Sequence, residues 1–330
     1  MDDPLGVLDS TRYFLRMGVV EIDHSSVSAV AKTVPLEDLT HLAKPLFFFE
    51  GWTWEEKVAI TLIRNAINFS FWPDHGEPRW TVHGMENKIL DGSTAAYFRI
   101  EKAVHLGFIN PCYFPFLCRL DKDELSQIFM GDGSSEIPLL SERLRCLDEL
   151  GRGVPIRGPD GIRDLLDMTD RSALGLVRYL ISRVPNFNDA VDNWGGDGET
   201  TKFYKRAQLA AIEIHRILVD EHRGGFLDIG DLTALSDYRL PQLFREVGIL
   251  VYNEKLAEMV DGEEDVPANS MAEICIRVAT VWGAEYLRQD LERRLKQSVT
   301  AAQLDYFLWH KARELKDSMR PHHRTRTTAY

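Results

Sequence analysis

Three carboxylates fall at or near expected helix starts within one short stretch, Phe226 to Gly248 (FLDIGDLTALSDYRLPQLFREVG): Asp228, Asp231 and Asp237. Acids gathered in this way mark a place where chemistry could sit. Asp237 is the best placed of the three. Leu240, Leu243, Phe244 and Val247 recur at i, i+3, i+4 and i+7, the spacing of a helix with one buried face. Pro241 suits that helix's first turn and Gly248 its stop. Asp237 therefore stands just before a helix N-terminus, where free backbone N–H groups and the macrodipole attract a carboxylate. A capping role alone would also account for it.

Other residues carry chemistry elsewhere in the chain. Asp305 lies in the apolar row Ala301, Leu308, Trp309 and Ala312, and Glu285 on the stripe of Ile274, Val278 and Val281. A buried acid has to be paired, protonated or functional. Glu273 and Arg277 read as a surface pair at i, i+4, after a capping box begun by Ser270. Phe71-Trp72-Pro73-Asp74 places aromatic faces beside a carboxylate, which fits a planar purine-like base and its paired N–H groups, or equally a core anchor with a capping Asp. Lys202, Lys205 and Arg206 crowd the first turns of an expected helix over Thr201 to Val219, where cations oppose the macrodipole unless an anion bridges them.

The elements that must hold these groups are mostly helical. Trp54, Val58, Leu62, Ala66 and Phe69 predict an amphipathic helix running on to a stop at Pro73, followed by a small hairpin around Arg79 to Leu90. Leu165 to Val184 reads as one amphipathic helix, Gly131 to Ser135 as a polar turn and Asp192 to Thr200 (DNWGGDGET) as a surface loop without EF-hand spacing. The tail Pro321-His322-His323-Arg324-Thr325-Arg326 reads as a disordered basic end. The fold expected is all-α, with at most a small β-hairpin, in one domain over residues 1–330.

Composition narrows the function classes. A net charge of -12 argues against broad binding to nucleic acid or anionic membrane. The four cysteines form no C-x-x-C pair and suggest neither zinc nor a disulfide framework. An acidic N-terminus and the lack of a long apolar run point to a cytoplasmic address.

Taken together, NFSFWPD (68–74), FYKRAQ (203–208), DIGDLTALSDYRLPQ (228–242), LDYFLW (304–309) and the closing HRTRTTAY (323–330) resemble the queuosine salvage protein family, the queuosine 5′-phosphate N-glycosidases. The resemblance implies a fold similar to the helix-hairpin-helix DNA glycosylases. It implies hydrolysis of queuosine 5′-monophosphate to queuine and ribose 5-phosphate, without metal or organic cofactor and without an obligate protein partner. On that implication Phe71, Trp72 and Asp74 receive the base, Lys202, Tyr204 and Lys205 hold the 5′-phosphate, and Arg239 contributes to binding. Asp237 is then the principal carboxylate, Asp228 its partner, and Asp305 completes the set around the glycosidic carbon. The contrasting expectation is a non-catalytic helical module that binds a nucleotide or a protein through a groove.

Overall fold

The computed structural model describes residues 3–39, 46–133, 135–192 and 200–330. The interior of the expected loop at 192–200 and Ser134 of the expected turn lie outside the described residues. In chain order the described elements are α1 (Val7–Thr11), β1 (Val20–Ile22), α2 (His24–Thr33), α3 (Trp54–Ala66), β2 (Thr81–His83), β3 (Ile89–Asp91) and α4 (Gly92–His105). Then come α5 (Lys122–Ile128), α6 (Leu140–Gly153), α7 (Pro159–Met168), α8 (Ala173–Arg183), β4 (Ala190–Val191), β5 (Thr201–Lys202) and α9 (Lys205–Asp220). The chain closes with α10 (Arg239–Glu246), β6 (Leu250–Tyr252), α11 (Glu254–Asp261), α12 (Met271–Leu295) and α13 (Ala301–Glu314). The fold is mostly α, as expected. The expected hairpin is β2–β3, and two further antiparallel pairings, β1–β6 and β4–β5, accompany it. Those strands are two or three residues long, too short for a period-two pattern to register in the sequence.

α3 is the axis of the core. Its capping box joins Thr53 to Glu56, and only Glu56 and Lys57 of the helix escape burial. A helix buried on all sides has to satisfy its polar groups from within the protein. Arg64 pairs with the buried Glu101, and Asn65 donates to Glu213 at 2.6 Å. At the C-terminal end, where helix carbonyls lack partners, Arg206 donates to the carbonyls of Asn65 and Ala66. Arg143 does the same to those of Ile67, Phe69 and Ser70. The helix stops at Ala66, well before Pro73, because these two buried guanidinium groups capture the carbonyls of the following turn, where Ser70 takes φ +40°.

The C-terminal tail is built into this turn, which corrects the expectation of a disordered basic end. Ser70 N donates to the Tyr330 carbonyl at 3.0 Å, and Ser70 Oγ to that of Thr327 at 2.8 Å. Arg326 and Arg324 donate to the carbonyls of Trp72 and Pro73, each at 2.8 Å, and His323, Thr325 and Tyr330 are buried. The tail's cations are spent on backbone carbonyls rather than on solvent.

Three further expectations change. The helix expected over Leu165 to Val184 is two, α7 and α8, broken where Asp170 and Arg171 adopt φ +54° and +49°. The helix expected from Thr201 begins at Lys205, since Thr201 and Lys202 pair in β5 and Tyr204 is left-handed at φ +53°. Glu273 and Arg277 are buried rather than a surface pair, because Arg277 forks onto Asp189 at 2.9 and 2.5 Å and lies over the rings of Phe203 and Tyr330. Glu285 is paired, by Arg288 and Gln289. The four cysteines are free. No helix among the described residues is long and apolar enough to cross a membrane.

Candidate active site

A cleft of about 380 Å³ opens where α4, α9, α10, α13, the turn after α3 and the C-terminal tail converge. Each helix contributes through one face. On α9, Lys205, Leu209, Ile212 and Glu213 line it at i, i+4, i+7 and i+8; on α13, Ala302, Tyr306, Trp309 and Arg313 do so at i, i+4, i+7 and i+11. The turn after α3 supplies Phe71 and Trp72, and the start of α10 supplies Asp237, Tyr238 and Arg239.

One end of the cleft is acidic. Asp237 Oδ1 accepts from the backbone N–H groups of Arg239 at 2.7 Å and Leu240 at 3.1 Å, the first turn of α10. Its Oδ2 has no hydrogen-bond partner among the described residues. Asp305 Oδ1 accepts from Leu235 N at 2.7 Å. Burial, reinforced by the neighbouring Asp237, pushes the Asp305 carboxyl up to about 8. Glu213 is likewise raised by burial, against the hydrogen bond it accepts from Asn65. Among these acids lies Lys205, itself buried, which lowers its pKa although Asp237, Asp305 and Glu213 favour its charge. Its backbone N–H donates to Asp189 Oδ2 at 3.2 Å, so the Asp189–Arg277 pair fixes where α9 begins.

Aromatic rings form the walls. Trp72, Tyr238 and His322 make a set with centroids 4.7–5.3 Å apart. Tyr306, Trp309 and His310 present rings from α13. His322 is held neutral by burial and by Arg239, which push it down to about 3. Its Nδ1 faces the His323 carbonyl at 2.8 Å, an arrangement that places the ring proton on Nδ1. The cleft lining also includes a cationic cluster: Arg79, Arg313 and Lys316 surround Asp91.

Phe71, Trp72, Lys205, Asp237, Arg239 and Asp305 are thus brought together, and the other candidates lie outside the cleft lining. Asp228 caps α8, accepting from Ser172 Oγ and from the backbone N–H groups of Ala173 and Leu174. Asp74 is exposed and pairs with Arg326. Lys202 sits in β5 with its ammonium beside Gly6, at the start of α1. Tyr204 is buried under Asp189, to whose carbonyl its N–H donates. Asp231 is exposed in the turn before α10. Sequence reading missed Glu213, although it lies eight residues after Lys205 on one helix face. Arg313 continues the row of Ala302, Tyr306 and Trp309 and was legible in the same way. His322 was hidden by reading the tail as disordered, and Asp91 by its place in the hairpin. Among the described residues, no three His, Cys, Asp or Glu side chains are grouped so as to hold a metal ion.

Comparison with known proteins agrees with the resemblance in the motifs. A family model described as queuosine salvage protein matches residues 51–330. The chain is 34% identical to the queuosine 5′-phosphate N-glycosylase/hydrolase of Sphaerobacter thermophilus over 332 aligned residues, 99% of this chain and 98% of that one. It is 28% identical to the protein of that name from Bos taurus, over 94% of each chain, and 27% identical to that from Mus musculus, over 81% of this chain and 80% of the other. With the family model covering most of its length and a bacterial relative matched nearly end to end, the chain belongs to the queuosine salvage protein family.

Proposed function

We propose that this chain is a cytoplasmic, single-domain hydrolase that cleaves the N-glycosidic bond of queuosine 5′-monophosphate, releasing queuine and ribose 5-phosphate for salvage into tRNA modification. The relatives' names supply the substrate. The observation that carries the chemistry is the presence, within one aromatic-walled cleft, of two carboxyl groups with different hydrogen-bond partners and burial. Asp237 has an oxygen without a partner, while Asp305 is kept protonated to about pH 8 by burial. A carboxyl kept protonated by burial suits proton donation, and a carboxylate with an unpartnered oxygen can face developing positive charge.

The C1′–N bond breaks with its electron pair going to the base. Asp305 gives the base its proton, and the Asp237 carboxylate offsets the positive charge left on the ribosyl ring. Water then adds its oxygen to C1′, and the proton it loses restores Asp305. Lys205 acts within this acid group, holding Asp237 and Asp305 in place by its charge. Trp72, Tyr238 and Phe71 provide faces on which a deazaguanine base can stack, and exclude water from the reacting bond. Arg239, beside Tyr238, borders the same wall.

The test is a base-release assay with queuosine 5′-monophosphate, queuosine and guanosine 5′-monophosphate, following free base by chromatography. Queuine from the monophosphate, and no guanine, is the expected outcome. Release from none of the three would leave a binding module instead.

A further inference from the structure

Resting on that reading of the cleft, we propose that Tyr330 is a positioning residue for the reaction: its buried hydroxyl restrains Glu273, leaves Arg277 to Asp189, and so fixes Lys205 among the cleft acids. Two lines of contact meet on Tyr330, which is buried. Its backbone carbonyl takes the N–H of Ser70 at 3.0 Å, in the turn that carries Phe71 and Trp72. The Arg277 guanidinium lies 4.6 Å from the centre of its ring and 3.8 Å from that of Phe203. The Tyr330 hydroxyl meets His323 Nε2 at 3.1 Å and is a hydrogen-bond partner of Glu273. Burial, with His322 and Arg277 beside it, pushes His323 down to about 3, so its ring is neutral. Its Nδ1 has no hydrogen-bond partner among the described residues, which places the ring proton on Nε2. His323 therefore donates to the phenol oxygen, and the phenol proton goes to Glu273.

Arg277 is contested by two acids. It forks onto Asp189 at 2.9 and 2.5 Å, while Glu273 Oε1 stands 3.6 Å from its Nη1. All three side chains are buried, where a second acid beside one guanidinium competes strongly with the first. The phenol, together with the Asn269 N–H that reaches Glu273 Oε2 at 3.2 Å, gives Glu273 other partners. Asp189 is thereby left to hold the start of α9. Its Oδ2 takes the Lys205 N–H at 3.2 Å, and its carbonyl takes the N–H groups of Phe203 and Tyr204. The Lys205 side chain stands under the charges of Asp237, Asp305 and Glu213. Without the phenol, Glu273 turns to Arg277, the fork on Asp189 weakens, and the first turn of α9 loosens. Packing alone would not need the hydroxyl, since a phenylalanine fills the same space.

The experiment measures kcat and KM for queuosine 5′-monophosphate in the wild type, Tyr330→Phe and the Tyr330→Phe/Glu273→Gln double variant. Tyr330→Phe keeps the ring over Arg277 and the carbonyl for Ser70, so kcat should fall by roughly three- to ten-fold with KM changed by less than about two-fold. Glu273→Gln removes the competing charge, and in the double variant most of the lost kcat returns. An unchanged kcat in Tyr330→Phe, or an undiminished loss in the double variant, overturns the assignment. Should Tyr330→Phe not fold by itself, a folded, active double variant supports the restraint on Glu273, and an unfolded or inactive one refutes it. If the wild type releases no base, the hydrolase reading has failed, and hydrogen exchange at the Lys205 N–H decides the positioning role by itself. Exchange accelerated about ten-fold in Tyr330→Phe and slowed again in the double variant supports it, and any other pattern refutes it.

Discussion

Asp228 and Asp237 belong to one stretch of sequence, and each accepts hydrogen bonds from two backbone N–H groups at a helix start, yet the two regions they serve have different work. Asp228 turns toward α8, a helix distant in sequence, and uses both oxygens: Oδ1 takes the N–H of Ala173, and Oδ2 takes the N–H of Leu174 with the Ser172 hydroxyl. Although partial burial opposes it, these donors hold Asp228 below the usual carboxylate range. Asp237 serves the helix that follows it directly and uses only Oδ1. Its second oxygen is left for the cleft. A carboxylate with both oxygens engaged in capping is held away from a substrate, whereas one that uses a single oxygen is both anchored and available.

The largest test of this contrast is Asp237→Asn. The amide keeps an oxygen for the cap and loses the charge, so base release should fall by on the order of 10²–10³-fold while the thermal midpoint moves little. Retention of more than about a tenth of the rate would contradict a transition-state role.

Next comes Asp305→Asn, which preserves an acceptor for Leu235 N–H and removes the acid proton. A loss of about 10²-fold is expected. In the wild type the acid form is present below about pH 8 and disappears above it, so the rate should hold below pH 8 and fall as pH rises past it. The variant should lack that limb. Stability carries the same signature. An unfolded Asp ionises near about 3.9, whereas the folded carboxyl keeps its proton to about 8, so the wild type loses stability progressively as pH rises between those values. The advantage in thermal midpoint of Asp305→Asn over the wild type should therefore widen from pH 5 to pH 8, and a constant gap would show that burial does not raise this group.

The smallest effect belongs to Asp228→Ala. Losing the α8 cap should cost about 1 kcal/mol of stability, read as a lowered denaturation midpoint, with kcat per folded molecule unchanged. Because its folded pKa is depressed, the contribution of Asp228 is present above the unfolded value and lost as pH falls through the folded one. A collapse of kcat in this variant would return Asp228 to the chemistry and dissolve the contrast.

Much of the scaffold was legible because helices leave a periodic trace. The α10 helix with Asp237 at its start and Asp305 in an apolar row are local patterns that stand in the structure with that geometry; the row Trp54, Val58, Leu62 and Ala66 falls on α3, but that helix ends at Ala66 and is buried on nearly every side. The failures share a cause. The tail Pro321 to Tyr330 has no helical period, and its arginines look like solvated charge until the carbonyls of Trp72 and Pro73 are brought against them. The break between α7 and α8 lies at Asp170 and Arg171, both at positive φ, where Ser172 caps α8 locally and the Asp228 carboxylate, 56 residues after Ser172, takes the N–H groups of Ala173 and Leu174, a contact no local pattern records.

The sequence by itself determined that the fold is mostly helical, that α10 follows Asp237, which acids sit among apolar residues, and, through motifs spread over the chain, the family. Capping and periodicity are properties of neighbours along the chain, so residue order suffices to specify them. Only the tertiary structure decided that Asp237 and Asp305 share a cleft while Asp228 does not, that Lys205 lies among acids, and that Arg79, Arg313 and Lys316 meet on Asp91. Those outcomes depend on which helix faces are packed together and on what that packing removes from water, and desolvation is what turns an ordinary aspartate into one that keeps its proton to about pH 8.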